Sequence, residues 1–202
     1  IKDPHCLAQI VKQEKITFWD SAPGAMQQLI QIILQQKNSY FPYLRLVFLS
    51  GDWVPVSVPG ALQVISPQVL VVALGGATEA TVWSNYFEIR EDCSSWVSIP
   101  YGNPIQNARY YILDELNQPC PIGVPGRLFI GGECLAEGYA GQPELTAERF
   151  ITDPFNPIPG SVMYHTGDLA CWRSDGKMLF LGREDHQVKI RGYRVELSEI
   201  TH

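Results

Sequence analysis

The chain has 202 residues, of which 46% are hydrophobic, so it can bury a core in one domain or in two small ones. Only 18% of the residues are charged, the formal net charge is -6 and no long basic run occurs, which argues against a protein that binds nucleic acid. No apolar stretch approaches the roughly 18 residues that span a membrane, and the sequence starts at Ile1 without a signal-peptide pattern, so we expect a cytoplasmic piece of a longer protein.

Five cysteines are scattered along the sequence, and no two of them form a Cys-x-x-Cys pair. An odd number at wide spacing indicates neither a disulfide framework nor a zinc or dithiol site. We expect reduced thiols that pack as small hydrophobic side chains, at Cys6, Cys93, Cys120, Cys134 and Cys171.

The first third of the chain alternates helical and strand patterns, as is typical of an α/β fold. In chain order, the pattern predicts a short helix over 7–14, a strand over 16–19, an amphipathic helix over 24–37 and strands over 44–50 and 69–74. The last two strands are apolar and β-branched, which predicts a parallel sheet buried on both faces. They end at Gly51-Asp52 and Gly75-Gly76, and ligands bind beyond such strand ends in open α/β sheets.

Proline and glycine become frequent after about Trp83, and the predicted strands become shorter. The pattern predicts strands over 109–113, 127–130, 178–181 and 187–190, and one helix over 143–150 that begins with proline. These elements favour a mostly antiparallel sheet or distorted barrel. We therefore divide the chain into part of an α/β subdomain (1–85), a β-rich, barrel-like subdomain (86–184) and a charged final segment (185–202).

Two polar segments carry side chains suited to phosphate and sugar chemistry. After the strand over 69–74, the hydroxyl of Thr78 can donate to a phosphate oxygen and Glu79 can hold Mg²⁺, which takes oxygen ligands and bridges phosphates. Asp168, in a second predicted turn, can accept both hydroxyls of a ribose. The alternatives are an ordinary glycine-rich turn with a solvated glutamate, and an aspartate that hydrogen-bonds its own turn. His165 has no candidate nucleophile nearby, so we interpret it as structural or as a surface residue.

Four segments occur together in the order and spacing of the core motifs of nonribosomal peptide synthetase adenylation domains, which are AMP-forming acyl-adenylate enzymes. They are GGATEA (75–80), GRLFIGGECLAEGY (126–139), YHTGDL (164–169) and GREDHQVKIRGYRVELSEI (182–200). PELTAERF (143–150) is also similar to this family. The chain thus resembles a partial core of such a domain. GGATEA with Val82-Trp83-Ser84 resembles the subgroup that handles small residues such as cysteine.

The resemblance implies nucleotide-binding roles for residues at the matching positions. Thr78 would contact the α-phosphate, Glu79 would hold the Mg²⁺ of ATP, and Asp168 would bind the ribose hydroxyls. Phe180 stands where the family has an aromatic residue near the nucleotide. Arg183 would touch ribose or phosphate, although a solvated ribbon of ion pairs is the alternative for its charged segment.

The same resemblance implies an adenine slot and a hinge. Gly51, Asp52 and Gly75 would line the slot, with Gly76 in the same glycine pair, and most members have at position 75 a tyrosine that stacks on adenine. Asp185 matches the hinge about which a small C-terminal lid swings. The segment 185–202 would therefore be the hinge and the start of the lid, or a point at which another domain is inserted.

The matched motifs also imply the walls of an acyl pocket, at Asp20, Phe48, Ser50, Leu74, Val82 and Trp83. Trp83 would fill much of the pocket, which favours a small amino acid such as cysteine, serine or glycine. A 2-oxo acid is the alternative, because the family's residue that anchors the substrate amino group is not among the matched segments. Asp20 either pairs with a polar group of the substrate or caps the helix that begins near Gly24.

The activity implied is conversion of a carboxylic acid and ATP into acyl-AMP and pyrophosphate, followed by transfer to a phosphopantetheine thiol. The implied partners are carrier and condensation domains of the same assembly line, with no nucleic acid and no membrane. The phosphate loop and catalytic lysine of the family are not among the matched segments, so we expect no appreciable adenylation by the 202-residue chain alone. ATP–pyrophosphate exchange would test this. The alternatives are a stand-alone acyl- or aryl-CoA ligase and a catalytically incomplete scaffold.

Overall fold

The computed structural model describes residues 3–35, 40–184, 187–190 and 193–196 of the chain. These residues form two compact units. The first contains the chain up to Leu74 and the segment Phe87–Ile99, and the second contains Gly75–Tyr86 and most of the chain from Pro100 onward. Because the chain passes between the units more than once, a single cut along the sequence does not describe them.

The first unit is an α/β layer in which helices alternate with parallel strands. Its elements are α1 (Pro4–Gln13), β1 (Phe18–Ser21), α2 (Pro23–Gln35), β2 (Leu46–Leu49), α3 (Ser57–Ile65) and β3 (Leu70–Gly75). The strands β1, β2 and β3 lie side by side in that order and are parallel, which confirms the predicted parallel sheet. The sequence pattern did not predict α3 because this helix contains Pro59. The proline lies in the first turn, where a backbone N–H makes no hydrogen bond within the helix.

One face of this sheet packs against the helices. Val47 and Leu49 of β2 and Val71 of β3 are fully buried in the same core as the apolar faces of α2 and α3. Burying each such side chain stabilises the fold by about 1.5–3 kcal/mol. Burial on both faces is confirmed for β3, but β2 alternates, and its Phe48 is partly exposed.

The second unit is built on a curled antiparallel sheet, which confirms the predicted β-rich, barrel-like half. Its elements are β5 (Asn103–Pro104), β6 (Ala108–Leu113), β7 (Gly126–Gly132), α4 (Pro143–Arg149), β8 (Phe150–Thr152), β9 (Val162–Trp172) and β10 (Met178–Arg183). The sheet order is β10-β9-β7-β6, with β8 also paired to β9. The strand β4 (Asn85–Ile89) runs through both units, and its first two residues pair with β5. The backbones of β11 (Gln187–Ile190) and β12 (Tyr193–Glu196) form a separate two-stranded sheet.

The polar segment around Asp168 lies inside β9 and is not the turn that the sequence predicted. Phe129 of β7 is the register partner of His165, and Arg127 is the partner of Leu169, so residues 166–168 stand opposite a single residue of β7. This β-bulge includes Gly167, whose φ of 76° few other residues adopt without strain. The glycine that resembles a turn signal therefore marks a bulge within a long strand.

The five cysteines are free, as predicted, and Cys93 and Cys171 are buried. His165 stacks on Phe129, with 4.8 Å between ring centroids, and lies 3.7 Å from a carboxylate oxygen of Glu184, in agreement with a structural role. In the part of the chain that the structure describes, no helix is both long and apolar enough to cross a membrane.

Gly132, at the end of β7, provides a test of backbone packing. Its φ is 109°, and a Cβ atom there would overlap the carbonyl oxygen of Asn107. We expect Gly132→Ala to lower the free energy of unfolding by more than about 2 kcal/mol, because conformational strain adds to a clash with backbone. The matched control is Gly123→Ala, where φ is 80° but nothing lies within 4 Å; it should cost about 1 kcal/mol. Urea unfolding measures both, and equal losses would contradict the prediction.

Candidate functional site

The glycine pair at 75 and 76 is tightly enclosed by the loop that follows it. The backbone N–H of Ser84 donates to the Gly75 carbonyl at 2.8 Å. A Cβ atom at Gly76, whose φ is 154°, would lie 2.8 Å from the backbone nitrogen of Ser84. A 3-10 turn, Thr78–Ala80, follows directly and leaves Thr78 exposed while Glu79 is buried. The turn therefore presents a hydroxyl to solvent and directs a carboxylate inward.

The carboxylate of Glu79 is held by tyrosine. Glu79 is only 6% exposed, and the Tyr139 hydroxyl donates to Glu79 Oε1 at 2.6 Å. Burial raises the pKa of Tyr164 far above its ordinary value, and the Glu79 carboxylate and the Tyr139 phenol raise it further. Tyr164 lies on β9, so this buried cluster joins the turn after β3 to the centre of the antiparallel sheet.

Asp168 and Arg183 form an ion pair across β9 and β10. They are register partners, and Arg183 Nη1 donates to Asp168 Oδ1 at 2.5 Å. Arg183 Nη2 also donates to the carbonyl of Thr166 at 3.0 Å. The hydroxyl of Thr166 donates to the Leu128 carbonyl at 2.7 Å and accepts from the Asp168 N–H at 2.9 Å. Backbone and side-chain bonds thus fix the position of the Asp168 carboxylate.

An aromatic pair lies beside the ion pair. The rings of Tyr101 and Phe180 stack with 5.4 Å between centroids and 21° between planes. Burial raises the pKa of Tyr101 well above its ordinary value, and the Asp168 charge raises it further. A Cβ atom added at Gly75 would lie 3.1 Å from Tyr101 Cε2 and Cζ and 2.7 Å from Asn85 Oδ1. Tyr101 therefore neighbours both Gly75 and Phe180.

The first unit carries the other predicted positions at the ends of its strands. Asp20 of β1 is the register partner of Phe48 of β2, and strand alternation places Leu74 on the same face of the sheet. Burial raises the pKa of Asp20, although the residue as a whole is exposed. After β2 the chain turns at Ser50, Gly51 and Asp52, where Gly51 has a φ of 83°. A row of predicted residues thus follows this edge of the parallel sheet.

The predicted acyl-pocket residues divide between the two units. Asp20, Phe48, Ser50 and Leu74 belong to the first unit, and Val82 and Trp83 belong to the second. Val82 is 67% exposed and Trp83 is partly exposed. The predicted hinge residue Asp185 lies outside the described residues.

The residues near Glu79 fit a magnesium ion that arrives with a nucleotide. Among residues 3–35 and 40–184, no cluster of three or more His, Cys, Asp or Glu side chains forms a metal site by itself. Mg²⁺ commonly binds through one or two carboxylates, with phosphates and water as its other ligands. A single carboxylate fixed by Tyr139 meets this requirement.

Sequence reasoning missed the residues that hold the predicted ones in place. Tyr139 and Tyr164 lie at the end and the start of recognised motifs, and a role opposite Glu79 was not assigned to either. Tyr101 lies in a proline- and glycine-containing segment with no motif. The one feature of the sequence that could have pointed to Tyr101 is the missing side chain at Gly75, and only the structure places the two residues together.

Known proteins match this chain closely. The model of the AMP-binding enzyme family matches residues 2–140. Pyochelin synthetase PchF of Pseudomonas aeruginosa is 43% identical over 198 residues, which cover 98% of this chain and 11% of PchF. The chain thus spans about a tenth of the length of this relative.

Solved structures agree in both fold and sequence. The nonribosomal peptide synthetase FmoA3, in its α-methyl-L-serine-AMP bound form, superposes with a TM-score of 0.84 and 37% identity, covering 92% of this chain and 21% of FmoA3. NpsA-ThdA, an artificially fused adenylation and PCP di-domain from Klebsiella oxytoca, has a TM-score of 0.84 and 28% identity, covering 99% of this chain and 39% of that one. The resemblance to adenylation domains is therefore confirmed. The chain belongs to the AMP-binding enzyme family.

Proposed function

We propose that this chain provides the ribose-binding and metal-binding part of a peptide-synthetase adenylation site, which converts a small amino acid and ATP into aminoacyl-AMP and pyrophosphate. Family membership supports the reaction class. The observation that carries the assignment to particular residues is the arrangement along β9. Tyr164 of this strand lies against Glu79, and Asp168, four residues further on, pairs with Arg183.

Each polar side chain of the site matches one group of a nucleotide. Asp168 accepts hydrogen bonds from ribose hydroxyls, since a carboxylate has room for about four donors and Arg183 takes one of them here. Arg183 contributes positive charge close to the sugar and phosphate. Thr78, which is exposed, donates its hydroxyl to the α-phosphate. Together they hold and orient the nucleotide, which is the main protein contribution to phosphoryl-group chemistry.

Glu79 is the residue that would hold Mg²⁺. When bound, the ion would supply positive charge that neutralises the charge developing on the phosphates. Tyr139 donates to one carboxylate oxygen and so fixes the side chain in one orientation. Burial of Glu79 also lowers the local dielectric constant, which strengthens its interaction with a cation.

The substrate and partners follow from the subgroup resemblance and from the relatives. Trp83 supports a small substrate such as cysteine, serine or glycine, and FmoA3 was solved with α-methyl-L-serine-AMP. The fused adenylation and PCP domains of NpsA-ThdA support a carrier domain as the partner. The phosphopantetheine thiol as acceptor and the condensation domains of the same assembly line follow from the family resemblance. Five free thiols support a reducing, cytoplasmic setting.

Replacing Asp168 tests the nucleotide half of the proposal. We expect Asp168→Ala to weaken binding of a non-hydrolysable acyl-AMP analogue by about tenfold or more, because charge-assisted bonds to the ribose are lost. Isothermal titration calorimetry measures this on the folded chain. The matched control is Asp175→Ala, which removes another ion-paired aspartate of the second unit, 3.1 Å from Arg173 and much more exposed. Equal affinity of both variants and wild type would contradict the proposal.

Replacing Glu79 tests the metal half. We expect Glu79→Gln to abolish the gain in ATP-analogue affinity that Mg²⁺ produces, because a neutral amide is a poor ligand for this cation. Affinity in EDTA should stay within about twofold, since the sugar contacts remain. Glu137→Gln, an exposed glutamate in the loop that leads to Tyr139, is the control and should keep the full Mg²⁺ effect. A normal Mg²⁺ effect in Glu79→Gln would rule out this residue as the metal ligand.

A further inference from the structure

Gly75 lacks a side chain for a steric reason. Its φ lies outside the left-handed region, so its backbone conformation is open to any residue. A Cβ atom there would nevertheless meet the Tyr101 ring at 3.1 Å and Asn85 Oδ1 at 2.7 Å. The space in front of this strand end is therefore occupied by the aromatic ring of a residue that lies 26 positions further along the chain.

Tyr101 is fixed from both sides of its backbone. Its N–H donates to the Met178 carbonyl at 2.8 Å, and its own carbonyl accepts from the Asn85 side-chain amide. Asn85 Oδ1 in turn accepts from the Tyr110 hydroxyl at 3.2 Å. These bonds fix the Tyr101 backbone, and stacking on Phe180 restricts the ring, so the side chain loses little entropy when a ligand binds.

The Tyr101 ring lies near the two residues that are predicted to contact the ribose. Tyr101 stacks on Phe180, and the next residues of that strand lead to Arg183 and its partner Asp168. The charges of both members of this ion pair also act on the pKa of Tyr101: Asp168 raises it and Arg183 lowers it. Tyr101 and Phe180 are each partly exposed as whole residues.

We infer that Tyr101, whose ring lies in front of Gly75 and near Asp168, supplies the aromatic face on which the adenine base of the nucleotide stacks. The inference rests on the proposed function of this site as a nucleotide site. An aromatic ring can stack on any base through its flat face, and Phe180 stacks on the Tyr101 ring. Tyr101 is thus a binding residue for the base, and Asp168 is one for the sugar.

Two ligands, one with the base and one without it, distinguish binding of the base from binding of the sugar. Binding of AMP and of ribose 5-phosphate to the folded chain can be followed by ligand-observed NMR titration. We expect Tyr101→Leu to weaken AMP binding by about tenfold and to leave ribose 5-phosphate binding within about twofold. Tyr101→Phe, which keeps the ring, should bind both as wild type does.

Asp168→Ala makes the possible failures distinguishable. If it weakens both ligands while Tyr101→Leu weakens neither, the nucleotide site stands and the role of Tyr101 is wrong. If Tyr101→Leu weakens both ligands equally, Tyr101 only supports the fold of the site and the inference is again wrong. If folded wild-type chain binds neither ligand, or Asp168→Ala changes nothing, the proposed nucleotide site itself fails.

Discussion

The ion pair between Arg183 and Asp168 is the constraint on which the polar face of the second unit depends. The two side chains are only 17% and 13% exposed, so their charges are largely removed from water. Breaking such a pair by removing one partner leaves an uncompensated charge, which is far more costly than losing a surface ion pair. Arg183 also bonds the Thr166 carbonyl, so the pair fixes the bulge of β9 as well as the strand pairing.

Elements with a regular apolar period were predictable from sequence, and irregular ones were not. The helix α2 and the strand β3 follow such a pattern and were found within one or two residues of their predicted starts. The helix α3 was missed because Pro59 suggests a break, and proline disrupts a helix only beyond its first turn. The length of β9 was missed because Thr166-Gly167-Asp168 has the composition of a turn. Whether a glycine ends a strand or forms a bulge depends on the partner strand, which local sequence does not specify.

The sequence predicted those residues of the candidate site that would contact the ligand themselves. It did not predict the residues that hold these side chains in place. Thr78, Glu79, Asp168 and Arg183 lie in motifs that family resemblance identifies. Tyr139, which holds Glu79, lies 60 residues away along the chain, and only the packing of the second unit brings the two together. Tyr101 is hidden for the same reason, because its neighbours Gly75 and Phe180 lie on either side of it in sequence and meet it only in the folded second unit.

Preorganisation explains why hydrogen bonds from other side chains hold the carboxylates of Asp168 and Glu79. A mobile aspartate or glutamate would lose side-chain entropy when it binds a ligand, at a cost of about 0.5–1.5 kcal/mol for each side chain that becomes fixed. Arg183 fixes Asp168, and Tyr139 fixes Glu79, so this cost is met during folding. A carboxylate that is bound by arginine still has lone pairs for ribose hydroxyls, whereas one that is merely buried would favour its neutral form. The arginine therefore keeps Asp168 oriented and able to accept further hydrogen bonds, which are two properties that a ribose site requires.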